Sequence, residues 1–173
     1  MNPNMLYFTD TNNCVVRLLN SANVGSIAVA TIAGSPKSCS TNVGPVDSIG
    51  TFAFFLFPTF ITNDMSGNLI VSDTGNNCIR MISGISSPNP YEVVTVAGNY
   101  KMPGCANTGT PANLLGASFR SPQGVALDSY GNIYVADSQN MAIRIINTAI
   151  PLVATIAGYN CGTLIPSGVI QVL

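Results

Sequence analysis

Few residues in this chain can do chemistry, and most of them sit at fixed offsets. Asp10, Asp73 and Asp137 each have an arginine seven residues on, at Arg17, Arg80 and Arg144. Three carboxylates at one repeat position can line a channel, where they would hold a cation or polarise a substrate. The same frame serves structure when the aspartate accepts turn N–H groups and the arginine ties strands or neighbouring units together. The structural role is the one expected for these six residues, and for Asp64 and Asp128, which recur before Gly-Asn turns. The remaining charges, Lys37, Asp47, Glu92, Lys101 and Arg120, are scattered singly and read as solvated loop charges. The five cysteines include no C-x-x-C pair, and the sequence has no histidine. Zinc ligation, Ser-His and Cys-His nucleophiles and the usual neutral-pH general base are therefore not expected. No catalytic residue, metal site or cofactor is predicted.

The elements that must position these residues belong to one domain. The chain has 173 residues, 47% of them apolar and only 8% charged, with a net charge of −1. That apolar content builds a core rather than a disordered chain. Six basic residues without a cluster exclude a nucleic-acid partner. Met1-Asn2-Pro3-Asn4 has neither the basic nor the apolar region of a signal peptide. The longest apolar stretch, Ile49 to Ile61, is broken by Thr51, Pro58 and Thr59 and is too short for a membrane span.

Self-comparison gives the architecture. Leu6 to Arg17, Leu69 to Arg80 and Ile133 to Arg144 align, with the aspartates 63 and 64 residues apart. Each segment is followed by a shared block: Ala30 to Gly34, Val94 to Gly98 and Ala154 to Gly158. Pro122 to Asp128 with Gly131-Asn132 matches Pro58 to Asp64 with Gly67-Asn68. Each unit reads as short β-branched strands joined by Gly-Asn and Asn-rich hairpins, which tolerate positive φ. The expectation is an all-β propeller segment of about three four-stranded antiparallel blades. Blade 1 spans residues 5–34, blade 2 58–98 and blade 3 122–158. Residues 166–173 match an opening strand, and the first blade lacks one.

The blocks Pro122-Gln123-Gly124-Val125-Ala126-Leu127-Asp128 and Gly131-Asn132-Ile133-Tyr134-Val135-Ala136-Asp137-Ser138-Gln139-Asn140 resemble the NHL-repeat family of β-propellers. The long connections, Ser35 to Phe57 and Asn99 to Ser121, look like an extended variant. The resemblance implies a propeller fold and a binding surface. Some NHL propellers are lyases with histidine-bound metal, and none of those ligands can be carried onto this chain.

Repeat position suggests the cysteine pairing. Cys14 and Cys78 follow the Asn-Asn turns, whereas Cys39, Cys105 and Cys161 follow the block glycines. Disulfides are expected, with buried thiols of a reducing compartment as the alternative. The expected bridges are Cys14–Cys39 and Cys78–Cys105, leaving Cys161 free or bonded to another chain. Phe52, Phe54, Phe55, Phe57 and Phe60 form core for blade 2 or a dry contact surface. Val169, Ile170 and Val172 would complete the first blade of a neighbouring copy, closing a ring or extending a filament, unless the chain is part of a longer propeller. The function expected is a non-catalytic extracellular scaffold or assembly module. It would associate with itself and bind protein or carbohydrate, without membrane insertion. The alternatives are the propeller domain of a lyase or hydrolase, or part of a longer ligand-binding NHL protein.

Overall fold

The structure is a computed structural model that describes residues 4–23, 26–37, 39, 44–84, 91–107 and 113–164. Blade 1 contains β1 (Met5–Asp10), β2 (Val15–Asn23) and β3 (Ser26–Gly34). The two-residue β4 (Ser48–Ile49) precedes blade 2, which is built from β5 (Pro58–Asn63), β6 (Leu69–Asp73), β7 (Cys78–Ser83) and β8 (Glu92–Ala97). Blade 3 contains β9 (Pro122–Leu127), β10 (Ile133–Asp137), β11 (Ala142–Asn147) and β12 (Leu152–Asn160), followed by β13 (Thr163–Leu164). The sheet orders are β1-β2-β3, β4-β8-β7-β6-β5 and β13-β12-β11-β10-β9. The expected four-stranded blades thus carry three, five and five strands. The fifth strand is connecting loop that folds back along the outer edge of β8 or β12, covering backbone groups that would otherwise be unpaired. The predicted strand at 166–173, with Val169, Ile170 and Val172, lies outside the described residues.

Packing between blades explains the hydrophobic runs. All five residues of β6 are buried, because blade 2 has a neighbour on each face. Leu69 and Val71 join Val16, Ile32 and Phe55 in the core between blades 1 and 2, while Ile70 joins Ile79, Phe119 and Val135 in the core between blades 2 and 3. That split follows the two-residue side-chain period of a strand. Hydroxyls stitch the blades together as well. Thr11 Oγ1 donates to the Pro58 carbonyl at 2.8 Å and Thr74 Oγ1 to the Pro122 carbonyl at 2.6 Å.

The hairpin after each aspartate is a single 3-10 turn, Thr11–Asn13, Thr74–Asn76 or Ser138–Asn140. A left-handed residue closes each one: Cys14, Asn77 and Met141, at φ 55°, 55° and 51°. A second recurrent irregularity is a register shift beside each frame arginine, between Val16 and Arg17, Ile79 and Arg80, and Ile143 and Arg144. It leaves Ile32, Val96 and Ile156, the middle residues of the shared five-residue block, without a partner in the ladder. Gly98 then turns the chain at φ 107°, where a Cβ would lie 2.5 Å from the Asn77 carbonyl oxygen.

The cysteines correct the repeat logic. Cys14 is bonded to Cys39, but Cys105 is bonded to Cys161, and Cys78 is a buried free thiol. Cys161 is therefore neither free nor bonded to another chain. The reason lies in register. Cys14 stands four residues after its aspartate and closes the turn, whereas Cys78 stands five residues after its own and begins β7. Asn77 occupies the place of Cys14 in blade 2, and a one-residue offset turns a strand side chain to the opposite face. Burial pushes the Cys78 thiol up to about 12, with the carboxylate of Asp73 adding to the effect.

Candidate functional site

The frame residues form sealed ion pairs in two of the three blades. Asp73–Arg80 and Asp137–Arg144 meet at 2.9 Å, with all four side chains 0% exposed. Asp73 also accepts the Leu56 N–H at 2.7 Å and the Asn76 amide at 2.8 Å; Asp137 accepts the equivalent groups of Arg120 and Asn140, both at 2.7 Å. Burial is the largest influence on both carboxyls and raises their pKa, and burial lowers that of Arg144. A channel-lining ring is excluded for these two aspartates, since neither reaches solvent.

Each buried arginine faces the segment that precedes its blade. Arg80 donates to the carbonyls of Phe54 and Val46 and to Asp47 Oδ1. Arg144 donates in the same way to Ser118, Ala106 and Asn107. The guanidiniums lie 5.0 Å from the Phe55 ring and 5.2 Å from the Phe119 ring. Asp47 is therefore not a solvated loop charge: it binds Arg80 and accepts the Thr95 hydroxyl at 2.8 Å. The signal for this latch is in the sequence, as Ala53-x-Phe55-x-x-Pro58 and Ala117-x-Phe119-x-x-Pro122. The phenylalanine cluster divides accordingly, with Phe55 in the core and Phe52, Phe57 and Phe60 exposed.

Blade 1 differs. Arg17 reaches Asp10 through Nε at 2.6 Å and gives Nη1 to the Thr31 hydroxyl, and the pair is 28% and 24% exposed. The Asn13 amide and then Arg17 hold the Asp10 carboxyl below the usual range.

An accessible concavity among the described residues lies elsewhere. A cleft of about 480 Å³ opens between the β5–β6 turn of blade 2 and the β9–β10 turn of blade 3, lined by Asp64, Met65, Asp128 and Tyr130 among others. Met65 and Tyr130 are 88% and 89% exposed. Asp64 holds its turn through the backbone N–H and amide of Asn68, at 2.8 and 2.7 Å. Asp128 accepts the Tyr130 and Asn132 N–H groups, the Asn132 amide and the Tyr134 hydroxyl. Those bonds, the Asn132 amide first, keep its carboxyl low, and the bond to Asp128 raises the Tyr134 phenol. The cleft thus presents a ring face and a thioether beside carboxylate, amide and hydroxyl groups. Sequence reading found the two aspartates but not the cleft, because only blade packing brings the two turns together. Among the described residues no three His, Cys, Asp or Glu side chains group to hold a metal ion. None of the described helices is long and apolar enough to cross a membrane. Two disulfides fit an oxidising compartment.

Comparison with known proteins agrees with this architecture. The NHL repeat family model matches residues 119–146. NHL repeat-containing protein 2 of Gallus gallus is 36% identical over 105 residues, which is 60% of this chain and 13% of that protein. A structural genomics protein of unknown function from Bacteroides thetaiotaomicron superposes with a TM-score of 0.62 at 21% identity, over 91% of this chain and 34% of its own. An auxiliary nutrient binding protein from Bacteroides ovatus gives 0.58 at 16% identity, over 88% and 35%. The chain spans about an eighth of the curated relative and a third of the solved structures.

Proposed function

We propose that this chain, which is similar to NHL-repeat proteins and carries two disulfides, works outside the cell as a non-catalytic binding and assembly module. The cleft between blades 2 and 3 carries this reading. It is open to solvent, draws on two blades, and sets an exposed tyrosine ring beside hydrogen-bonding groups. A flat aromatic face with convergent polar groups is the chemistry of carbohydrate recognition, where the ring takes the apolar face of a sugar and the polar rim takes its hydroxyls. The name of one structural neighbour, an auxiliary nutrient binding protein, is compatible with it. The assembly half rests on β3, whose outer edge carries exposed Ile27 and Val29 and has no covering strand among the described residues. Exposed apolar edges pair with other chains.

A glycan array followed by titration tests the binding half. The expected outcome is a hit weakened at least tenfold by Tyr130→Ala, with no turnover of the bound glycan. Hits unaffected by that change, or hydrolysis of the ligand, would reject the reading. Light scattering tests the assembly half, and a stable, well-folded monomer at micromolar concentration would remove it.

A further inference from the structure

The two aspartates of the cleft hold equivalent turns in successive blades, but their carboxylates are not equally occupied. A carboxylate has about four acceptor positions. Asp128 fills four of them, with the Tyr130 and Asn132 backbone N–H groups, the Asn132 amide and the Tyr134 hydroxyl. Among the described residues Asp64 accepts only the Asn68 N–H and amide. The difference is written in the sequence, where Ile70 stands at the place of Tyr134 and has no hydroxyl to give. The Ile70 side chain instead joins the core between blades 2 and 3. Asp64 therefore has acceptor capacity left over, in a cleft it shares with the exposed Tyr130 ring. No lysine or arginine is among the residues lining that cleft, so its carboxylates have no counter-charge there.

We infer that the cleft selects a sugar bearing a free amino group, with Asp64 accepting from the ammonium and the Tyr130 ring covering the sugar's apolar face. This deepens the reading of the cleft as a carbohydrate site and rests on it. Three features of the lining favour an amino sugar over its neutral and acidic counterparts. An ammonium donates charge-assisted hydrogen bonds, about twice as strong as those of a neutral hydroxyl, to the open positions of Asp64. The negative face of the tyrosine ring attracts the same charge. An acidic sugar would set its own carboxylate beside Asp64 and Asp128 with no cation to offset the repulsion. N-acetylation of the amine removes the charge and with it the first two gains. Asp64 is thus the residue that sets specificity, whereas Asp128, its bonds all spent within blade 3, shapes the turn that presents Tyr130.

The test uses a β-1,4-linked N-acetylglucosamine tetramer and its counterpart with one acetyl group removed, so that a single amine distinguishes the probes. Each is titrated calorimetrically against the 173-residue chain at pH 6, where the amine is protonated. The amine form is expected to bind at least tenfold more tightly. Asp64→Asn should bring the two probes within twofold of each other. Because Asp64 also holds its turn, the wild-type chain supplies a second readout. At about 1 M NaCl, where the screening length falls to about 3 Å, its preference should shrink in the same way. Equal binding of the two probes, tighter binding of the acetylated one, or a preference that survives Asp64→Asn overturns the inference. If that happens while Tyr130→Ala still weakens the acetylated probe tenfold, the carbohydrate reading stands and the amine selectivity does not. If neither probe binds, both fall.

Discussion

Asp137 and Arg144 are sealed from solvent, and each is hydrogen-bonded to the segment before its blade as well as to its partner. Removing one member leaves the other charged, buried and unpaired, which costs roughly 3–5 kcal/mol. Asp137→Ala is expected to lower unfolding free energy by about that much in urea. Asp10→Ala, at a pair open to water, should cost under about 1 kcal/mol. Equal losses would mean that burial does not set the strength of these pairs. Asp128 carries a pH signature. Its folded-state pKa is lowered by the Asn132 amide, so its contribution is present above the unfolded value and lost as pH falls through the folded one. The stability difference between wild type and Asp128→Asn should therefore be larger at pH 6 than at pH 2. The check is denaturant titration of both proteins at each pH.

The long connections are held at the scale of elements. Cys14–Cys39 closes a separation of 25 residues and Cys105–Cys161 one of 56. The chain-entropy model gives these about 3.5 and about 4 kcal/mol. Cys105→Ser is thus expected to destabilise the fold at least as much as Cys39→Ser, measured by unfolding with the other bridge intact. Cys78, buried and with its thiol held near 12, should resist alkylation at pH 8 until the protein unfolds. Peptide mapping that found Cys78 bonded to Cys105 would contradict this pairing.

Across the whole molecule, stability lies between the blades. Phe119 is fully buried in the core between blades 2 and 3, packs near Gly98 at the end of blade 2, and lies under Arg144 of blade 3. Phe119→Ala is expected to cost about 3–5 kcal/mol. Because the ring bridges two units, the variant should also unfold in a broader, less cooperative transition by circular dichroism. A sharp transition at unchanged slope would place the ring within one blade's own stability instead.

The periodic features were legible without coordinates, because they depend on residues close in the chain. Asp10, Asp73 and Asp137, the turns after them and the alternating strands are local hydrogen bonding and the two-residue side-chain period, and they repeat with the motif. Tertiary structure alone decided what depends on register and on contact across a blade boundary. Cys14 and Cys78 look alike in sequence, but one residue of offset sends them to different faces, so Cys105 finds Cys161 instead. Asp47 reads as a loop charge until the loop folds over Arg80. The cleft at Tyr130 comes into being only when two turns 64 residues apart are brought together. Local backbone preference fixes the blade, whereas the packing of one blade on the next fixes which arginine is covered, which cysteines meet and where the surface is concave.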